Sequence, residues 1–271
     1  MSTASRYNHV NNQPIRVVVF CGGPVLDREV KHFLYRLIQH AEITLLGVFC
    51  QSRGQTFRAI ATDLWRRRGV LALPLLLMRL GKATAQFLFH IHNELELKRK
   101  ISQFSDRLHF VANIHAAEVI KQVRSLSPDL GLVYGSPILK PALFEIPKDG
   151  TLGIHHGKAP EYRGKKTTFW AMYNGEKTAG VTIQKINAGL DTGEIVKQEE
   201  VLIGRRSYGA VCHELERLGI DLYIQAIIEV KNGVATFTRQ VGGGAKLYRD
   251  PKYPDIFKFW WRQLSRRWFG F

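Results

Sequence analysis

Cysteine is scarce: the 271 residues include three, Cys21, Cys50 and Cys212, far apart and odd in number. None sits in the short-spaced pair of a zinc site, and three cannot close a disulfide framework. A stapled mini-protein is excluded, and a reducing, cytosolic compartment is expected, extending at most to the inner face of a membrane. Long apolar runs are also missing. Val70–Met78 is broken by Pro74 and separated from Phe87–Ile91 by Arg79 and Lys82, well short of the roughly 20 residues that span a bilayer. The polar stretch Met1–Gln13 lacks the apolar centre of a signal peptide. No Gly-x-Gly-x-x-Gly follows the first apolar run, which weakens any dinucleotide site there. Acidic residues are the minority, 23 against 39 basic, for a net charge of +16. That balance implies an anionic partner such as nucleic acid, a phospholipid surface or a phosphorylated ligand.

What is present reads as α/β. Ile15–Phe20 is a β-branched run ending at Cys21-Gly22-Gly23-Pro24, a buried strand and a tight turn. Val25–His40 carries Val30, Phe33, Leu34, Leu37 and Ile38 at helical spacing, and Ile43–Cys50 is a second buried strand. Strand, helix, strand in this rhythm opens a parallel sheet with helices on both faces. The pattern resumes with strands at Leu108–Ala112 and Asp129–Tyr134 around a helix at Ala116–Ser125. Strands are expected at Gly180–Ile186 and Glu194–Leu202, a long helix at Ser207–Lys231, and an alternating edge strand at Val234–Gln240. The organisation expected is a polar tail over 1–14, one α/β domain over 15–241 with a helical insertion near 57–100, and a basic, aromatic tail over 242–271.

Two segments stand outside the rhythm. The insertion is flanked by Arg66, Arg67, Arg68 and by Lys98, Arg99, Lys100. In Asp255–Phe271, Phe257, Trp260, Trp261, Leu264 and Trp268 share one helical face beside Lys258, Arg262, Arg266 and Arg267, the composition of an interfacial helix. Residues 255–271 and 65–100 together point to an anionic membrane surface; a helical lid packed on the domain is the other reading of the insertion, and a helix docked on the domain or a nucleic-acid-binding segment are the other readings of the tail.

The chemistry concentrates between Leu130 and Val196. Tyr134-Gly135-Ser136-Pro137-Ile138-Leu139, Gly153-Ile154-His155-His156-Gly157, Pro160-Glu161-Tyr162-Arg163-Gly164 and Gly189-Leu190-Asp191-Thr192-Gly193 place glycine and proline where strands open into loops. That is the edge at which open α/β sheets bind ligands. His155 and Asp191 are the natural acid–base pair: an imidazole titrates near neutrality, and a carboxylate stabilises its charged form.

These four loops, in this order and over roughly residues 129–203, resemble the folate-dependent formyltransferases. The resemblance implies a Rossmann-like domain that moves a formyl group from 10-formyltetrahydrofolate to an amine without a metal. It makes His155 and Asp191 catalytic, lines the folate pocket with Tyr134, Gly135, Ser136, Pro137, Ile138, Leu139, Gly189 and Leu190, and assigns Gly153, Gly157, Tyr162, Arg163 and Gly164 to the substrate loop. The family's catalytic Asn falls on Gly153. Loss of one oxyanion donor typically costs about 10²–10³ in rate. His156 is the nearest candidate substitute; a hydrolase of the same folate, or a non-catalytic relative, are the alternatives.

The acceptor expected is a small-molecule amine, most simply an amino sugar linked to a nucleotide or a lipid. Transfer RNA is not expected, because family members that use it carry a further C-terminal domain and only 75 residues follow Val196.

Overall fold

The computed structural model describes residues 13–23, 26–52, 102–241 and 246–269, with side chains through Leu264. The expected insertion near 57–100, its basic flanks, and the side chains of Arg266, Arg267 and Trp268 lie outside these residues. In chain order the elements are β1 (Ile15–Gly22), α1 (Arg28–Ile38), β2 (Ile43–Gln51), β3 (Leu108–Val111), α2 (Ala117–Leu126), β4 (Leu130–Tyr134), α3 (Pro141–Phe144), β5 (Thr151–His155), β6 (Arg163–Gly164), α4 (Thr167–Asn174), β7 (Thr178–Lys185), β8 (Ile195–Leu202), α5 (Tyr208–Lys231), β9 (Leu247–Tyr248) and α6 (Tyr253–Phe269).

Seven strands form one sheet in the order β3-β2-β1-β4-β5-β7-β8. The first five run parallel, while β7 and β8 are antiparallel. Strand order reverses between β1 and β4, so the loops leaving β1, β4 and β5 gather at one mouth, the usual ligand edge of such sheets. The apolar runs are buried on both faces. Val17, Val19, Phe33, Leu34, Leu132 and Ile227 fill a core beneath α1 and α5. Val18, Phe20, Phe49, Val123 and Leu143 fill one beneath α2 and α3. Helices thus cover both sides of a mainly parallel sheet, as the rhythm predicts.

Local chemistry sets the helix ends at the mouth. Asp27 caps α1 by accepting a hydrogen bond from the Val30 N–H at 3.1 Å, with Glu29 in the first turn. Ser207 caps α5 through the Ala210 N–H at 3.2 Å.

One expectation changes on folding, and one of the readings of the tail gains contacts. Val234–Gln240 is not a strand; only Thr238 bridges to β8, exchanging two 2.8 Å backbone bonds with Ile195. Its alternation finds no second partner among the described residues, and Val234 and Phe237 stay exposed. Downstream of Gln240, β9 pairs with β6 and α6 lies on the domain. The anchor of α6 is Phe259, 2% exposed, against the rings of Phe169 at 4.6 Å and Tyr208 at 5.9 Å. The side of α6 bearing Phe257, Trp260, Trp261 and Leu264 remains outward, each more than half exposed. Lys258 and Arg262 lie over the Tyr173 ring. No helix among the described residues is long and apolar enough to cross a membrane.

Phe259→Ala is therefore expected to destabilise the domain by about 3–5 kcal/mol, the cost of emptying a buried phenyl site. Trp261→Ala should change stability by no more than about 0.5 kcal/mol. Thermal and urea unfolding of the two variants checks both values.

Candidate active site

The last strand to join the mouth from the parallel side, β5, ends in His155. Its imidazole is 8% exposed. Nε2 lies 2.6 Å from the carbonyl oxygen of Tyr162. A carbonyl only accepts, so Nε2 carries the hydrogen and donates. That leaves Nδ1 as the proton-accepting nitrogen, 3.6 Å from Asp191 Oδ2. The tautomer is thus set from behind by a backbone group, and the carboxylate faces the nitrogen on which charge would appear. Gly157 makes this contact possible: a Cβ there would fall 2.4 Å from both His155 Nε2 and the Tyr162 oxygen.

Asp191 is held as tightly. It has a left-handed backbone with φ of 51°, uncommon for any residue but glycine and asparagine-like side chains. The Gly164 N–H donates to its Oδ2 at 2.8 Å, and Gln184 Nε2 to its Oδ1 at 3.3 Å. Gln184 is fixed in turn. Gln240 Nε2 donates to Gln184 Oε1 at 2.9 Å and to the Gly193 carbonyl at 2.7 Å, so the Gln184 NH₂ must face Asp191. Gly193 itself admits no side chain, because a Cβ would sit 1.6 Å from the Lys185 carbonyl oxygen.

Two clefts meet at this pair, sharing Gly135 and Ile154. The narrow one, about 190 Å³, is lined by Ser136–Leu139, Gly153, Gln184, Ile186 and Gly189–Gly193. The wide one, about 540 Å³, is lined by Asp27, Glu29, Tyr134, His155, His156 and Glu216, among others. A larger hollow of about 700 Å³, beside Lys148 and Phe237, contains neither histidine nor Asp191.

The sequence-derived residues divide between these walls. Gly135 lines both clefts. Ser136, Pro137, Ile138, Leu139, Gly189 and Leu190 line the narrow cleft, and Tyr134 lines the wide one. His156 turns away from Gly153 and meets Glu216 at 2.9 Å. Tyr162 is buried, stacked on Tyr248, with its hydroxyl donating to Glu176 at 2.7 Å; its carbonyl rather than its ring serves the site. Arg163 and Gly164 form β6. At Gly153 a Cβ would fall 2.5 Å from Ile186 Cδ1, so the space of the family's Asn side chain is taken by isoleucine. Directly opposite Gly153 in the ladder stands Gln184. Gln184, Asp27, Glu29 and Glu216 are site residues that the motifs do not reveal. A glutamine in register with the inward-facing Thr182 of the strand run Val181–Ile186 is the one signal for the first. Among the described residues no group of three or more His, Cys, Asp or Glu is arranged to hold a metal ion.

Such a fold and mouth define a class, the formyltransferase-type α/β domain. A solved phosphoribosylglycinamide formyltransferase from Bacillus halodurans superposes with a TM-score of 0.55 at 15% identity, over 79% of this chain and 94% of its own. A solved sugar N-formyltransferase from a Shewanella species gives 0.56 at 15% identity, over 90% and 86%. Residues 93–227 match the family described as formyl transferase, and the chain belongs to that family through this segment. Among curated relatives, the methionyl-tRNA formyltransferase of Thermodesulfovibrio yellowstonii is 36% identical over 154 residues, 56% of this chain and 49% of its own. That of Geobacter metallireducens is 34% identical over 129 residues, 47% and 42%. The chain thus spans about half the length of the curated relatives it matches. These relatives correct the expectation that excluded tRNA. Both are named for a tRNA substrate, so the length remaining after Val196 does not decide the acceptor.

Burial leaves a titration signature in the wide cleft. Desolvation, with the charges of Glu29 and Asp27 behind it, raises Glu216 to about 7. Desolvation, and then the neighbouring His155, lowers His156 to about 4. A carboxyl raised on folding favours the folded state below its unfolded value near 4.5 and loses that contribution as pH rises through 7. Glu216→Gln should therefore stabilise the protein by about 2 kcal/mol at pH 8 and by little at pH 4.5. Paired urea titrations at the two pH values measure this; a variant less stable at pH 8 would contradict the desolvated state of Glu216.

Proposed function

We propose that this protein transfers a formyl group from 10-formyltetrahydrofolate to a primary amine. The observation that carries the reading is the His155–Asp191 contact at the junction of the two clefts. The narrow cleft suits the folate: it is slot-like, its rim offers the exposed side chains of Ile138 and Leu190, and its floor is the glycine loop around Asp191. Ser136–Leu139 and Gly189–Gly193 would hold that group, which supplies an activated formyl carbon on nitrogen.

The chain's own residues do the rest. The neutral His155 Nδ1 takes a proton from the attacking amine as charge develops on the formyl oxygen. The Asp191 carboxylate stabilises the resulting imidazolium without moving. The same Nδ1–H then serves the departing nitrogen. Gly153 offers no side-chain donor, and the carboxamide nearest to its place in the ladder is Gln184. Its NH₂ has one hydrogen on Asp191 and a second free to act as the oxyanion donor, moved one strand over. His156, engaged with Glu216, does not take that part.

The acceptor class proposed is an amino sugar, carried by a nucleotide or lipid; likeness of fold to sugar N-formyltransferases supports it. A second reading, the amine of a charged tRNA, is favoured by the sequence identity to methionyl-tRNA formyltransferases.

Incubation with 10-formyltetrahydrofolate and either acceptor separates the readings. Tetrahydrofolate release that depends on an amino sugar supports the first, and release that depends on methionyl-tRNA the second. Acceptor-independent release makes the protein a hydrolase, and no release a binding protein. Where transfer occurs, His155→Ala and Asp191→Asn should each lower kcat by about 10²–10⁴. Gln184→Met should lower it by about 10²–10³ with KM for the folate little changed. A Gln184→Met enzyme with full activity would remove Gln184 from the oxyanion role.

A further inference from the structure

The net charge of the chain and the charge of its wide cleft have opposite signs. Although the whole sequence carries +16, the wall beside His155 brings together Asp27, Glu29 and Glu216 from α1's N-terminus and α5, with Lys166 the single lysine or arginine among its lining residues. A cluster of carboxylates is ordinary on a surface. This one is accompanied by buried polar atoms with nothing to bond. Tyr134 is 4% exposed, lines the same cleft, and its hydroxyl has no hydrogen-bond partner among the described residues. Its ring cannot swing to find one, because it is stacked on Phe33 at 4.7 Å, and Phe33 on Tyr223 at 5.1 Å. Glu216 Oε1 is likewise buried and unpartnered among these residues, while Oε2 faces His156. Buried polar groups without partners cost stability unless a ligand completes them.

We propose that this wall is a recognition site for a primary ammonium group, held by Glu216, Asp27 and Glu29 with the Tyr134 hydroxyl as an acceptor. The inference rests on the transfer reading above and specifies the form in which the acceptor arrives: as a cation, at the end that reacts. Three ammonium hydrogens match the unpaired Glu216 Oε1, the Tyr134 oxygen and a carboxylate of α1. Reaction then requires a neutral amine. The Glu216 carboxylate takes one of the three protons and becomes a neutral carboxyl, the nitrogen lone pair is freed for the formyl carbon, and the proton passes to water when product leaves. The elevated proton affinity of Glu216, set by burial and by Asp27 and Glu29, matches that exchange near neutrality. An acceptor whose remainder is anionic would keep that part outside the cleft.

The test uses the full chain and methylammonium chloride as probe, with potassium chloride at equal ionic strength and methanol as controls. Backbone amide resonances of Gly135, Ile154 and His156 are followed by NMR. Saturable shifts with methylammonium alone are expected, weakened about tenfold in Glu216→Gln and in Asp27→Asn; asparagine retains the α1 cap. Tyr134→Phe, which removes one oxygen from a ring already fixed by stacking, should weaken binding about threefold and guards against variants that fail to fold. Shifts shared with potassium, absent altogether, or unchanged in Glu216→Gln overturn the site. Methylammonium binding by a protein that transfers no formyl group to any amine keeps the site and removes the transfer reading. Transfer with an acceptor KM unaffected by Glu216→Gln does the reverse.

Discussion

The mouth of the sheet depends on one buried hydroxyl. Tyr223 of α5 is fully enclosed. Its oxygen accepts a hydrogen bond from the Val133 N–H at 2.9 Å and donates to the Leu152 carbonyl at 2.7 Å. Val133 and Gly153 are paired in the β4–β5 ladder, and in a parallel ladder the Val133 N–H would be directed at the Leu152 carbonyl. The tyrosine stands between the two. It satisfies both backbone groups while parting the strands one residue before Ile154 and His155, which is where the two clefts meet. The same ring stacks on Phe33, and Phe33 on Tyr134. A single side chain thus ties α1, α5, β4 and β5 into the frame on which both walls hang. Replacing it by phenylalanine would leave two buried backbone groups unpaired, a penalty of about 1–3 kcal/mol for each.

Around that frame, positions are set by what cannot be there. Gly157 and Gly193 are required because backbone or imidazole atoms already occupy the space of a side chain. Each absence brings a polar group close: the Tyr162 carbonyl to His155, and the Asp191 loop to the Lys185 carbonyl. The left-handed Asp191 is held by a backbone N–H and by an amide whose orientation is fixed two residues away through Gln240. A histidine–aspartate pair set in this way needs little reorganisation when charge appears, the property that makes oriented dipoles effective in a water-poor site.

Much of this frame was legible in the residues. The strands β1, β2, β4, β7 and β8 and the helices α1, α2 and α5 follow from apolar runs and helical spacing, because burial on two faces or on one leaves those patterns. The strand bearing His155 does not announce itself: Thr151–His155 contains Gly153 and runs into His156-Gly157, and neither alternates nor forms a β-branched run. α4 begins at a left-handed Lys166 with no side-chain cap, so no start signal marks it. Conversely, Val234–Gln240 alternates and yet makes a single bridge, since alternation records a face to bury and not a neighbour to pair with. Of the site, the loops with His155 and Asp191 were readable through their resemblance to a family. Glu216 was not, because on a long helix it reads as one more solvated charge, and only the fold turns it inward beside Asp27 and Glu29.

The glycine at position 153 shows how such a site can differ from its family without losing its layout. Removing an amide from β5 leaves room that a neighbouring side chain must fill or water will enter, and Ile186 fills it. An apolar group there makes that part of the narrow cleft a poorer place for negative charge unless another donor faces it. The antiparallel pairing of β5 with β7 supplies the position: Gln184 lies opposite Gly153 on the same face of the sheet, buried and already oriented by its bond to Asp191. Isoleucine at 186 and glutamine at 184 thus both bear on the place of Gly153, the first by filling its space and the second by standing opposite it in the ladder. Gly153→Asn alone would force the new side chain against Ile186, and Gly153→Asn with Ile186→Ala would reopen its space.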